Sequence, residues 1–247
     1  MNVWIAGAST GIGAALANRY ASDGHTVFAT ARSADKLQLL AKAALEYSGN
    51  IEPLPCDVTD NESIISSVSN VKERGAIDLA ILNAGYYEPI ELEQLNLQHF
   101  LNTYDVNLLG VVRCLLAVLP IMKNQGHGQI AIVSSVSGYT GLPKAAAYGS
   151  SKAALINLAE SLQPECKAVG VDIRLINPGF VKSPLTEKNS FSMPFIIEAE
   201  SAANRIVDGL AGNAFEIHFP KRFTYMMKML RSLPYAVYLK MAARLTA

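Results

Sequence analysis

With 247 residues, half of them hydrophobic, the chain is long enough to bury a large core, and an α/β fold of this size is commonly one domain. Its 21 basic and 21 acidic side chains cancel, so no global field favours nucleic acid. Cys56, Cys114 and Cys166 have no paired spacing and read as reduced core thiols of a cytoplasmic protein, while the scattered His25, His99, His127 and His218 suggest no metal site.

Asn2 to Ala6 reads as a short buried strand that runs into Gly7-Ala8-Ser9-Thr10-Gly11-Ile12-Gly13, after which Ala14, Ala15, Leu16, Ala17 and Tyr20 continue as a helix. Glycine lets the backbone approach a phosphate, and the open N–H groups and dipole of the helix favour negative charge. As the first βα turn, this segment is expected to bind a nucleotide. Strands near 2–6, 25–31, 51–55, 77–82, 128–134, 171–177 and 214–219 alternate with helices near 12–22, 34–47, 61–73, 96–123, 147–168 and 199–211. That alternation predicts an α/β fold with a parallel sheet of about seven strands and helices on both faces. Pro120 is expected to kink or end the long helix. The chain opens on its first strand, which leaves no room for a signal peptide, and no uninterrupted apolar run reaches the ~20 residues of a membrane span.

Gly7, Asn83, Ser135 and Pro178 each follow a predicted strand end, where ligands bind in open α/β sheets. Tyr148 and Lys152 lie four apart on a helix and so share a face. A cation close to a phenol stabilises the phenolate and is expected to lower its pKa from about 10 toward the working range.

The glycine turn, Asn83-Ala84-Gly85, Asn107, Ser135, Tyr148 with Lys152, and Asn177-Pro178-Gly179 resemble, in order and spacing, the short-chain dehydrogenase/reductase family. The resemblance spans residues 2 to about 220 and implies a Rossmann-type doubly wound sheet, with 1–220 as a single dinucleotide-binding and catalytic domain. It maps a catalytic tetrad onto Asn107, Ser135, Tyr148 and Lys152; the thirteen-residue step to tyrosine selects Ser135 over Ser134. By resemblance, Ser135 and Tyr148 hydrogen-bond a substrate carbonyl and Tyr148 exchanges the proton. Lys152 also bonds the nicotinamide ribose, and Asn107 holds a water that links Lys152 to solvent. Ala6 and Leu82 replace a frequent threonine and asparagine beside the site.

The resemblance places Gly7, Ser9, Thr10, Gly11, Ile12 and Gly13 at the phosphates, Asp57 and Val58 at the adenine, and Asn83 to Gly85 on the adenosine side. Pro178, Gly179, Val181 and Ser183 cap the nicotinamide end. NAD-preferring relatives carry an acidic residue where the second strand ends. Here Ala31 and Arg32 follow instead, so NADP(H) is the expected coenzyme, with NAD(H) possible.

Phe180, Leu185, Phe191, Met193, Pro194, Phe195 and Ile196, with Tyr86, Tyr87, Tyr139 and Leu142 from other loops, point to an apolar ketone, aldehyde or secondary alcohol. A non-catalytic regulator and a redox-neutral isomerase or dehydratase of the same superfamily are the alternatives. A homodimer through the helices near 96–123 and 147–168 is expected by resemblance.

Residues 217–247 carry Lys221, Arg222, Lys228, Arg231, Lys240 and Arg244 and no acidic side chain. Tyr235, Tyr238, Met241, Ala242 and Leu245 recur on one side of a helix, so 221–247 reads as a basic amphipathic extension. It either covers the substrate loop or a neighbouring subunit, or rests on anionic lipid.

Overall fold

A computed structural model describes residues 1–189 and 193–243; Phe191 of the apolar loop and Arg244 and Leu245 of the tail lie outside them. Seven parallel strands, β1 (Asn2–Ala6), β2 (Thr26–Ala31), β3 (Asn50–Pro55), β4 (Leu79–Leu82), β5 (Gly128–Val133), β6 (Val171–Pro178) and β7 (Glu216–Phe219), form one sheet in the order β3-β2-β1-β4-β5-β6-β7. The order reverses between β1 and β4, which opens the crevice where ligands bind in such sheets.

Along β1, Trp4 and Ala6 join one core and Val3 and Ile5 the other, all of them buried. That is why the strand reads as apolar throughout rather than alternating. On the Trp4 side, α3 (Asn61–Glu73), α5 (Gly110–Gln125) and α6 (Ala146–Ala168) contribute Ile64, Val118 and Leu155. On the Val3 side, α1 (Gly11–Ser22), α2 (Ala34–Ala43) and α7 (Ala199–Ala211) contribute Leu16, Leu37 and Ile206. Burying each such side chain stabilises the fold by roughly 1.5–3 kcal/mol. The Trp4 indole N–H, which would be costly to bury unpaired, donates to Ser67 Oγ at 3.1 Å. Pro53 and Pro55 sit in β3, an edge strand, where a missing backbone donor is tolerated.

Three helical boundaries differ from the sequence expectation. α2 ends at Ala43, not 47, because the chain must turn into β3 through Gly49, where a Cβ would lie 2.2 Å from the His25 carbonyl. The long helix is α4 (Leu97–Tyr104), a π-helical turn at Asp105–Leu109, then α5. Pro120 does not end it; α5 runs to Gln125 and stops at Gly126, at φ 73°. The carbonyl that Pro120 leaves unpaired is that of Leu116, an exposed residue within reach of water. Leu97–Gln125 is long and apolar enough to cross a membrane by length and composition, but Cys114, Leu115, Val118 and Met122 bind it to the sheet.

Beyond β7 the tail forms α8 (Lys221–Ser232) and α9 (Tyr235–Ala243). Phe223, Thr224 and Met227 fasten α8. The predicted apolar side of the tail is not a buried side: Tyr238 is buried, but Tyr235 is 82% exposed and Met241 is exposed as well. Tyr238 reaches the neighbouring loop by donating its hydroxyl to the Gly141 carbonyl, a direction that its one-side neighbours do not share.

Candidate active site

The glycine turn is shaped by close approaches. Gly7 has φ 89°, and a Cβ there would come within 2.6 Å of the Ala84 backbone; one on Gly13 would lie 2.0 Å from the Gly7 carbonyl oxygen. Any side chain at either place would push the first turn of α1 off the sheet. Asn83 Nδ2 donates to that same carbonyl at 2.7 Å and locks the β4 loop onto the turn. Thr10, the residue before α1, makes no side-chain cap, so the first-turn N–H groups stay available to an anion.

A cavity of about 740 Å³ opens at this point. It brings together the predicted Gly7, Ser9, Thr10, Gly11, Ile12, Arg32, Asp57, Val58, Asn83, Ala84, Gly85 and Ser183. Ser33 and Lys36, at the start of α2, line it too and escaped the sequence reading. Lys36 was findable, since it follows Arg32 by four residues at a helix start. Both carboxylates that line the cavity are engaged: Asp57 accepts from Thr59 N–H and Oγ1 at 2.9 Å, and Asp105 pairs with Arg113 at 2.8 Å. Arg32 and Lys36 are exposed and form no ion pair among the described residues, so this end of the cavity offers two cations to an anionic ligand.

Pro178, Gly179 and Val181 lie outside the cavity lining. Gly179 N–H donates to the Phe219 carbonyl at 2.7 Å, and Val181 is buried and bridges to Ile197. Those two positions hold the β6 loop against β7 and against its own return, and Ser183 is the member of the segment that reaches the cavity.

None of the four predicted tetrad residues, nor Gly13, is among those that line the cavity, but Ser135 and Lys152 lie beside Tyr148. Gly138 permits this: a Cβ there would meet the Lys152 backbone carbon at 2.8 Å, so only glycine lets the loop after β5 lie against α6. Ser134 Oγ donates to the Lys152 carbonyl at 2.8 Å and is committed to that contact. Ser135 Oγ accepts from Ser137 N–H at 3.1 Å and lies close enough to the Tyr148 phenol to favour its ionised form. Lys152 is buried, donates from Nζ to the Val133 carbonyl at 3.0 Å, and lies 5.7 Å from the Tyr148 ring centroid.

The electrostatics depart from the expectation that Lys152 lowers the phenol. Burial pushes Tyr148 up to about 12, with the Ser135 hydroxyl acting the other way. Burial likewise pulls Lys152 down to about 8. Desolvation is the largest influence on both groups, and the Tyr87 ring stands edge-on to Tyr148 at 5.0 Å.

Asn107 sits in the π-helical turn, fully buried. Its Oδ1 accepts from Tyr86 N–H at 2.6 Å, and its Nδ2 donates to the Tyr86 carbonyl at 2.8 Å and to Ser151 Oγ at 3.2 Å. Asn107 therefore clamps the β4 loop to α6, and no bond to Lys152 is present. Ser151, which also donates to the Tyr148 carbonyl at 2.7 Å, carried no sequence signal.

The predicted substrate residues divide. Tyr86 lines the cavity, its ring 5.3 Å from Lys188 Nζ. Phe180 stacks on Phe223 of α8 at 5.4 Å. Leu142 is partly buried against the Trp4-side core. Tyr139 is turned inward: it is buried, and its hydroxyl donates to Glu216. Asn177 Nδ2, at 2.7 Å, and Lys228 donate to the same carboxylate. Among the described residues no group of His, Cys, Asp and Glu is placed to hold a metal ion.

The family model for short chain dehydrogenases matches residues 1–193. An uncharacterised oxidoreductase of Myxococcus xanthus is 35% identical over 98% of this chain and 96% of its own length. Human 17-beta-hydroxysteroid dehydrogenase type 1 is 38% identical over 75% of this chain and 58% of its own. The crystallographic alcohol dehydrogenase of Thermococcus sibiricus, complexed with 5-hydroxy-NADP, superposes with a TM-score of 0.80 at 29% identity, covering 89% of this chain and 96% of that one. A glycine-cradled crevice at the sheet reversal, a serine and a lysine beside one tyrosine, and likeness over nearly the whole chain have one common account: the chain belongs to the short-chain dehydrogenase/reductase family and is an NAD(P)-dependent oxidoreductase of alcohol and carbonyl groups.

Proposed function

We propose that this protein uses NADP(H) to reduce an apolar ketone or aldehyde, or to oxidise the corresponding secondary alcohol, with Tyr148 as the acid and base. The observation that carries this reading is the placement of Ser135 and Lys152 beside one tyrosine, while Ser134 is committed elsewhere. The coenzyme fits the residues present: Gly7 and Gly13 leave no room for a Cβ, the first turn of α1 is open to phosphate, and Arg32 with Lys36 suits a 2′-phosphate. When bound, NADP(H) supplies or takes up the hydride.

The chain's own groups handle the proton. Ser135 Oγ donates to the carbonyl oxygen and stabilises charge as it develops there. Tyr148 gives its proton to that oxygen in reduction and removes it in oxidation. A phenol near 12 stays protonated at neutral pH, which suits reduction. Lys152, near 8, keeps its charge at neutral pH and offsets the phenolate that the transfer leaves. Tyr86 and Leu185, which line the cavity, favour an apolar substrate, in keeping with the steroid dehydrogenase likeness.

The test is the loss of NADPH absorbance over a panel of aldehydes and ketones. Turnover by the parent is expected, and Tyr148→Phe should lower kcat by at least ~10²-fold with coenzyme affinity unchanged. Comparable turnover in that variant, or coenzyme binding without turnover of any carbonyl, would refute the assignment.

A further inference from the structure

Helix α8 is held to the molecule by one side. Phe223, Thr224 and Met227 are buried, whereas Lys221, Arg222, Tyr225, Met226 and Met229 are exposed. Spacings of three and four set Arg222 beside Tyr225 and Met226, and Met229 beside both of those. Helix α9 is exposed almost all round. Lys240 is its single charged residue, yet Tyr235, Val237, Leu239 and Met241 stand in solvent and Tyr238 alone is buried. A surface helix ordinarily hides its apolar stripe, and a contiguous exposed one marks a contact surface.

Charge selects the occupant. Lys221, Arg222, Arg231 and Lys240 are exposed and make no ion pair among the described residues, and no acidic side chain occurs in 217–243. Lys228, by contrast, is neutralised by Glu216. A second copy meeting this face across a two-fold axis would oppose like charges. An anionic bilayer satisfies both kinds of side chain: the aromatic and methionine groups enter the acyl boundary while the cations remain at the headgroups. Both helices lie beyond the residues 1–193 that the family model matches.

The geometry points to the outward face of α8 and α9 as a docking surface for an anionic lipid bilayer, seated through Arg222, Tyr225, Met226, Met229, Leu239 and Lys240.

The full-length protein is centrifuged with phosphatidylglycerol–phosphatidylcholine vesicles and with phosphatidylcholine vesicles alone, at low and high salt. It should pellet with the anionic vesicles at low salt and be released as salt screens the charge. Arg222→Ala with Lys240→Ala should lower that partitioning by ~25-fold, at ~5-fold for each charge. Met229→Ser with Leu239→Ser should lower it at low salt as well. Both pairs lie on the surface, and their thermal midpoints should match the parent. Failure to pellet with anionic vesicles at low salt overturns the proposal, as does equal partitioning onto neutral vesicles. A fall in oligomeric mass in either paired variant would assign the face to a second copy instead.

Discussion

Replacing Lys152 with methionine should stabilise the protein while abolishing its turnover. The lysine is buried, pairs with no carboxylate among the described residues, and has the Val133 carbonyl, at 3.0 Å, as its hydrogen-bond acceptor. Burial lowers its pKa from 10.5 to about 8, a penalty of roughly 3 kcal/mol on the charged form. Between those two values the unfolded chain holds a proton that the folded chain does not. Stability therefore rises with pH across that window, and below pH 8 the penalty is present in full. Methionine has a similar length, removes the charge and forfeits the bond to Val133, worth about 1 kcal/mol. The balance is a gain of ~2 kcal/mol at pH 7, or a rise in Tm of about 4–8 °C for a chain of this size. Thermal melts of parent and variant from pH 7 to 10 measure it, and the gap should narrow steadily above pH 8. A variant that melts below the parent at pH 7, or a gap that does not change with pH, refutes the reasoning. A stabilising loss-of-function change at one position is the behaviour of a group held under strain for chemistry.

Arg32→Ala and Lys36→Ala should each weaken NADPH binding by about tenfold and leave NADH nearly unchanged, because both cations are exposed and screened; fluorescence titration of each coenzyme checks this, and equal losses for NADPH and NADH would place the residues elsewhere. Asn107→Ala frees both backbone groups of Tyr86, so amide exchange at Tyr86 should accelerate and stability should fall by ~1–3 kcal/mol; unchanged exchange would show that the loop is held without it. Burial raises the Glu216 carboxyl, but bonds from Lys228, Tyr139 and Asn177 more than offset this and hold it below its ordinary value. Its stabilisation is present above about pH 4.5 and is lost as pH falls through the lower folded value. Glu216→Gln should cost ~1–2 kcal/mol at pH 7 after allowance for partial exposure, with the deficit vanishing in acid; a deficit that persists in acid would point to packing rather than charge.

The sequence by itself determined whatever depends on near neighbours along the chain. The strand, glycine turn and helix of residues 2–22 were legible because glycine's freedom and a helix start are local properties. The sharing of one α6 face by Tyr148 and Lys152 followed from helical spacing alone, and the two-faced burial of β1 and β4 from their unbroken apolar runs. Tertiary structure decided what depends on groups distant in sequence. Asn107 reaches across to Tyr86, which no spacing announces, and a π-helical turn in a long apolar helix has no compositional mark. Tyr139 looked like a site aromatic until Glu216, 77 residues away, took its hydroxyl inward. Most plainly, Tyr148 beside Lys152 suggested a lowered phenol, whereas the Tyr87 ring and the burial around it raise that phenol. Spacing sets which charges are neighbours, but how far water is excluded from them depends on packing by several distant segments at once, and here desolvation is the larger effect.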